Sequence, residues 1–297
     1  MSTVSLEADF EPGTTALALP GISPGVYGPQ DFAAVADMVR KEAGIVLPPG
    51  KAMLVYSRLA PLVRVSGLGT FSAYLAAIAQ DDGARRKAVN ALTTNHTFFY
   101  REEHHFTHFA TVVRPRLAAQ LAQGGAVRLW SAGCSSGEEV WSLVMTLLGP
   151  DKREGRMLAK RDLRVLASDI ADHALDRAAA ASYEAKGLDA VPEDLRAAWT
   201  RPSGTDLTIA PELRDLVQFR RLNLHGEWPM RRRFAVIFCR NVMIYFDQPT
   251  KERLVARFAE QIEPGGFLYI GHSERVSGPA EALFESVGPT IYRRRPQ

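Results

Sequence analysis

From Val127 onward the chain alternates short apolar runs with amphipathic helical stretches, and nothing upstream of that point does. Val127–Ser131, Leu163–Ala167, Phe234–Cys239 and Phe267–Gly271 read as strands, and Gly137–Leu148, Ala171–Ala181 and Thr250–Ile262 as helices between them. Strands alternating with helices are joined by crossovers, which builds a mostly parallel sheet covered on both faces. Residues 183–222 break the rhythm: Pro192, Pro202 and Pro211 punctuate short strand candidates at Leu207–Ile209 and Val217–Arg220. Thr290–Arg294 is expected as a closing edge strand.

The first third is helical. Phe32, Val35, Met38 and Val39 mark one helix, which Leu47-Pro48-Pro49-Gly50 ends. A second begins near Lys51, with Pro61 expected only at a bend or boundary. Thr70-Phe71-Ser72-Ala73-Tyr74-Leu75 opens a third, and Ala84–Leu92 makes a fourth. Residues 1–28, with Pro12, Pro20 and Pro24 and no periodicity, read as a disordered arm. The expected organisation is an arm (1–28), an all-helical domain (29–112), a linker (113–126) and an α/β domain (127–297).

At 297 residues, with 46% apolar and 23% charged, the composition suits a soluble globular protein with two cores. No apolar stretch approaches the roughly 18 residues of a membrane span, and no charged-then-apolar leader begins the sequence. The two cysteines, Cys134 and Cys239, are expected as buried thiols of a cytoplasmic protein. Net charge is only +3, but residues 51–125 carry nine bases against four acids. That segment could face an acidic partner or simply water.

Four places carry ligand-binding chemistry. The strand 234–238 runs into Arg240, Asn241 and Tyr245, and ligands sit beyond the carboxyl ends of strands in open α/β sheets. The first strand-to-helix turn, Gly133-Cys134-Ser135-Ser136-Gly137, allows two chemistries. It matches the G-x-S-x-G nucleophile elbow, which would make Ser135 an esterase nucleophile with His272 as base. It could also cup a nucleotide-like cofactor. Glu138 and Glu139 follow at once, and carboxylates beside a developing oxyanion would oppose the esterase. Asp169 ends the second strand, placed either to hold ribose hydroxyls or to cap the next helix. The absence of G-x-G-x-x-G weakens a nicotinamide cofactor and leaves room for S-adenosylmethionine. Finally, Asn95, Thr97 and Arg101 alternate with aromatics between the helical and sheet halves. His104 and His105 lie nearby, but no cysteine or acid pattern completes a metal site, so no metal is expected.

Together, Thr94–Glu102, Ser135-Ser136-Gly137-Glu138-Glu139, Ala167-Ser168-Asp169-Ile170, Asn223-Leu224, Phe238–Phe246, Pro264-Gly265-Gly266 and Gly271-His272-Ser273-Glu274 resemble, in order, the CheR family of chemotaxis receptor methyltransferases. The resemblance runs from about residue 30 to 295. It implies a Rossmann-like S-adenosylmethionine-dependent methyltransferase domain with a small inserted β-subdomain at about 183–222, after an all-helical substrate-recognition domain. It implies esterification of glutamate side chains on the cytoplasmic helices of chemoreceptors, giving glutamyl methyl esters and S-adenosylhomocysteine. By the same resemblance, Asn95, Thr97, Arg101, Gly133, Glu138, Asp169, Asn223, Leu224, Arg240 and Asn241 hold the cofactor, and Arg101 and Tyr245 lie nearest the transferred methyl. Lys51, Arg58 and Arg64 are expected to meet the acidic receptor helices. The short, glycine-poor loop at Arg201–Thr205 suggests an enzyme that does not need the receptor's C-terminal pentapeptide; a monomer is expected, with no nucleic-acid partner and no membrane insertion. A non-catalytic adaptor with a methyltransferase fold is the third reading.

Overall fold

The computed structural model describes residues 21–296. Residues 1–20 of the expected arm lie outside them. The chain divides into two compact units: residues up to Met38 with Leu47–Ala88, and Val39–Val46 with the rest from Val89.

In the first unit, the helices are the beginning of α1 (Pro29–Ala43), α2 (Ala52–Ser66), α3 (Phe71–Ile78) and the beginning of α4 (Asp82–Leu92). They bury Val35, Val55, Leu59, Val63, Phe71, Tyr74 and Ile78. Thr70 caps α3, its hydroxyl accepting the Ala73 N–H at 3.2 Å. Packing begins before residue 28: Tyr27 is buried, donates to the Ala52 carbonyl at 3.1 Å and lies 4.4 Å from the Phe71 ring. The arm expectation is thus corrected for residues 21–28, because an aromatic side chain there completes the helical core. Pro61 lies inside α2, not at its boundary. Proline removes the bond to the carbonyl four residues back, and Ser57, at that position, is exposed, so water can take the bond instead.

The second unit holds a seven-stranded sheet of β1 (Val127–Ala132), β2 (Leu163–Asp169), β6 (Val217–Arg221), β7 (Phe234–Cys239), β8 (Ile262–Ile270), β9 (Phe284–Gly288) and β10 (Ile291–Arg294), in the order β6-β2-β1-β7-β8-β10-β9. The pairs from β6 through β8 are parallel and the last two antiparallel. Alternating side chains feed two cores. Val127, Leu129, Val236 and Phe238 face one, with α7 (Glu138–Leu148). Trp130, Ala132, Ile237 and Cys239 face the other, with α12 (Gln248–Gln261). Both cysteines are buried and free.

Three boundaries differ from expectation. Residues 103–122 form α5 (Glu103–His108), one π turn (Phe109–Val113) and α6 (Arg114–Ala122) rather than ending a helical domain and starting a linker. Pro115 sits in the first turn of α6, where its missing N–H costs nothing, and Phe106, Phe109, Leu117 and Leu121 are buried in the sheet core. Second, Val217–Arg221 pairs with β2 in the main sheet, while the small sheet is only β3 (Ser182–Glu184), β5 (Asp206–Ile209) and β4 (Thr200–Ser203). Third, β10 is interior, and β9, a half-polar strand not expected, takes the edge.

The chain enters the sheet at β1, builds outward through β2 to β6, then returns to β7 on the other side of β1. The carboxyl ends of β1 and β7 therefore flank the topological switch point, where a crevice opens in doubly wound sheets.

Candidate active site

Four strand tips and one upstream segment meet at that switch point. Beyond β1, Gly133 adopts φ +84°, and a Cβ there would lie 2.4 Å from Val242 Cγ2, so only glycine fits. The Gly133 and Cys134 N–H groups donate to the Ser168 carbonyl at 2.7 and 2.9 Å, tying the turn to the end of β2. Ser135 N–H donates to Asp169 Oδ2 at 2.8 Å, and Ala171 N–H to Oδ1 at 2.9 Å. Asp169 thus orders the β1 turn and the approach to the next helix, whose N-cap is Ala171 rather than Asp169, and each oxygen keeps a lone pair for a further donor. Leu222 N–H reaches the Asp169 carbonyl at 2.9 Å, which brings Asn223 and Leu224 alongside.

The 95–102 segment crosses these tips. The Asn95 carbonyl accepts Ser135 Oγ at 3.0 Å. That bond occupies the hydroxyl, and no histidine among the described residues bonds Ser135, so the nucleophile-elbow reading has no base. Arg101 folds onto its own loop, donating to the His96 carbonyl at 2.9 Å with its guanidinium 5.8 Å from the Phe98 ring centre. Thr97 is half-buried. The residues on either side of Arg101 are both left-handed, Tyr100 at φ 54° and Glu102 at φ 59°.

Beyond β7, Arg240 is buried between three partners. Its Nη1 lies 3.4 Å from Glu139 Oε2, its Nη2 lies 3.4 Å from Glu102 Oε2, and Nη2 also donates to the Arg101 carbonyl. Asn241, at φ 60°, donates from Nδ2 to Glu102 Oε1 at 3.1 Å. Its backbone N–H goes to Glu274 Oε2 at 3.0 Å, and Glu274 Oε1 takes the Ile244 N–H at 3.2 Å. A Cβ on Gly271 would lie 2.1 Å from Asn241 Nδ2, so the β8 tip must pass without a side chain.

Tyr245 ends the short Met243–Tyr245 turn. Its carbonyl receives the Val46 N–H at 2.8 Å, and its hydroxyl bonds none of the described residues. The same stretch of chain, 42–46, holds Asn223, whose Nδ2 donates to the Glu42 carbonyl at 2.6 Å while Oδ1 accepts the His225 N–H at 3.0 Å. The Asn223 side chain is therefore fully engaged as an anchor. Leu224 is buried and its carbonyl accepts Arg257 at 2.7 Å.

Electrostatics set this site apart. Burial pushes the Glu138, Glu139, Asp169 and Glu274 carboxyls above their ordinary values, against the opposing pull of hydrogen bonds from Ser136, Ser131 and backbone N–H groups, and of Arg240 on Glu139. His105, buried beneath, is pushed down to about 2, by burial first and Arg240 next, and is neutral. Among the described residues, Asn241 Oδ1, Arg240 Nε and Glu102 Oε2 are buried without a hydrogen-bond partner. Glu102 and Glu274 carry no role in the sequence reading, and Glu139 enters it only as an acid that opposes the esterase. Their signal was their presence in the motif segments; their long-range pairing left no local pattern.

Lys51, Arg58 and Arg64 lie on or just before α2 in the first unit. Lys51 and Arg58, seven positions apart, share one side of the helix, whereas Arg64 lies about 120° further round. Among the described residues no group of histidine, cysteine and acid side chains could hold a metal. No single helix among them is long and apolar enough to cross a membrane.

Comparison with known proteins gives two family matches, the CheR methyltransferase all-alpha domain over residues 30–93 and the CheR methyltransferase SAM binding domain over residues 95–293. A probable chemotaxis protein methyltransferase of Rhizobium etli is 41% identical over 262 residues, 86% of this chain and 96% of that protein. Chemotaxis protein methyltransferase 2 of Pseudomonas aeruginosa is 38% identical, covering 90% of this chain and 93% of its own. The chemotaxis protein methyltransferase of Escherichia coli is 36% identical, covering 88% and 89%. S-adenosylmethionine, a sulfonium cation with an ammonium group and ribose hydroxyls, fits the residues present. At the strand tips buried acids outnumber the guanidinium of Arg240, the Asn241 Oδ1 acceptor lacks a donor, and Asp169 and Glu138 can accept hydroxyl or ammonium hydrogens.

Proposed function

Because the chain belongs to the CheR methyltransferase family, we propose that it transfers the methyl group of S-adenosylmethionine to glutamate carboxylates on the cytoplasmic helices of chemoreceptors. The products are glutamyl methyl esters and S-adenosylhomocysteine. The observation that carries this reading is the meeting of the 95–102 segment with Arg240 and Asn241 at the switch point.

The cofactor supplies an already activated methyl group. The acceptor glutamate, with an ordinary pKa of about 4.3, is ionised at neutral pH, so the protein needs no general base. Its contribution is placement, which can lower a barrier by roughly 7–11 kcal/mol in favourable cases. Asn95, Thr97, Gly133, Glu138, Asp169, Asn223, Leu224, Arg240 and Asn241 form the cofactor wall, with Asn223 acting through its backbone because its amide is committed to Glu42 and His225. Arg101 steers the incoming carboxylate, and the free Tyr245 hydroxyl orients it. Lys51 and Arg58 attract the acidic acceptor helix. The enzyme works in the cytoplasm as a monomer, and the two-residue turn Gly204-Thr205 between β4 and β5 is consistent with an enzyme independent of a pentapeptide tether.

The test is transfer of tritiated methyl from S-adenosylmethionine to receptor cytoplasmic fragments. Alkali-labile label released as methanol is expected; no incorporation, or label that survives mild alkali, overturns the reading. Arg58→Glu should raise the KM for the fragment with cofactor affinity unchanged. A tail peptide binding with micromolar affinity by calorimetry would remove the claim of tether independence.

A further inference from the structure

We propose that Glu102 is a positioning residue that locks the Arg101 turn to the tips of β7 and β8, so that cofactor affinity and methyl transfer both depend on a carboxylate that need not touch the cofactor. The proposal rests on the reading of this crevice as a methyl-transfer site and names a member of its machinery that the binding wall does not include.

One carboxylate here serves three chain segments. Glu102 Oε1 accepts Asn241 Nδ2 at 3.1 Å, His272 N–H at 3.2 Å and His272 Nδ1 at 3.1 Å. An ionised carboxylate only accepts, so His272 presents Nδ1–H to it. Glu102 Oε2 faces Arg240 Nη2 at 3.4 Å as an ion pair, and the neutral His105 Nδ1 stands 3.4 Å away. The side chain is only 11% exposed, so these contacts act in a poorly solvated place where each is stronger than in water. The backbone supports the same conclusion. A residue other than glycine, asparagine or aspartate at φ 59° is held there by its surroundings. Here that conformation turns the side chain of Glu102 toward the strand tips while Arg101, immediately before it, turns back to the His96 carbonyl.

Without this carboxylate, Arg240 keeps only Glu139 as a charged partner, and Asn241 loses the only bond its side chain makes among the described residues. Both belong to the cofactor wall, and the Arg240 bond to the Arg101 carbonyl couples their position to the residue nearest the acceptor. Loss of Glu102 should therefore move cofactor affinity and turnover together, whereas a residue that only stabilises the fold would lower the melting temperature and leave the folded fraction's affinity intact.

The experiment measures S-adenosylmethionine and S-adenosylhomocysteine affinity by calorimetry, and kcat and KM for a receptor fragment, in wild type, Glu102→Ala, Glu102→Gln, Asn241→Ala and Glu102→Ala/Asn241→Ala. Glu102→Ala should weaken cofactor binding about 10-fold or more, the worth of charge-assisted hydrogen bonds, and lower kcat with little change in the KM for the fragment. Glu102→Gln, which keeps an acceptor oxygen for Asn241 and His272 but not the charge for Arg240, should fall between the two. The double variant should lose less than the sum of the two single losses, because both changes break the Glu102–Asn241 bond. Cofactor affinity and kcat within twofold of wild type in Glu102→Ala, or additive losses in the double variant, overturn the proposal. If Glu102→Ala does not fold, wild-type affinity and kcat in Glu102→Gln overturn it alone. A wild-type protein that binds no cofactor sinks the methyl-transfer reading itself, which separates the two failures.

Discussion

Asp169 and Asp247 both gather backbone N–H groups ahead of a helix, Asp247 as its N-cap and Asp169 from further upstream, at different electrostatic cost. Each stands just before a helix and accepts backbone N–H bonds, Asp169 from Ser135 and Ala171, Asp247 from Thr250. At Asp247, as at Asp151, the hydrogen bonds win and the carboxyl is held below its ordinary value. At Asp169 burial wins and the carboxyl rises. The same holds for Glu138, Glu139 and Glu274 around it. The surface caps stabilise the fold when ionised; ionising the acids at the strand tips would cost it stability. Acids kept where they destabilise the empty protein are the signature of a site that a cationic ligand completes.

The largest test of this contrast removes the one buried cation among those acids. Arg240→Ala leaves Glu102 and Glu139 buried without their charged partner, and should cost about 3–5 kcal/mol by urea denaturation as well as abolish methyl transfer. A loss below 1 kcal/mol would mean that the acids are solvated and the contrast with the caps is false. Next comes Arg101→Ala. Its guanidinium is bonded within its own loop through a solvent-exposed bond, so Tm should hold while kcat falls on the order of 100-fold. A matched drop in stability would return Arg101 to a structural role.

Glu138→Gln sharpens the comparison through pH. A carboxyl raised in the folded state contributes its stability below the unfolded pKa and loses it as pH rises through the folded value. The amide escapes that loss. At pH 8 the variant should be the more stable protein, by about 0.3 M in urea midpoint, and at pH 4 the advantage should vanish, while cofactor affinity falls. Asp151→Ala is the smallest effect and has the opposite sign. Its carboxyl is held low by the Arg153 and Glu154 N–H groups, so its contribution is present above the unfolded value and lost as pH falls. The variant should lose about 2 °C in Tm at pH 7 and nothing near pH 2. If both variants respond to pH in the same direction, burial does not distinguish the two classes of acid.

Four of the five parallel strands and their helices were legible because apolar period and length are local properties, and Phe234–Cys239 and Val127–Ala132 state them clearly. Membership of a sheet is not local. Val217–Arg221 reads as a short strand in the sequence, but nothing in it says that its partner is β2 rather than the small sheet. β9 stayed hidden because Phe284-Glu285-Ser286-Val287-Gly288 is half polar, as an edge strand can be. Of the acids at the strand tips, Asp169 and Glu138 could be picked out beside a glycine turn or a strand end. Glu102 could not, since its partners lie 139 and 170 residues away.

The clasp between residues 42–46 and the crevice has a consequence for how the enzyme is made. Asn223 and the Glu42 carbonyl it binds are separated by 181 residues, and Tyr245, which Val46 holds, comes later still. A chain emerging from the ribosome can form its first helices early, but the strip that seats Tyr245 must wait until four of the seven sheet strands have been synthesised. Closing so long a loop is entropically slow to reward. The crevice side of residues 42–46 is therefore a late, long-range step of folding rather than part of the early helical structure.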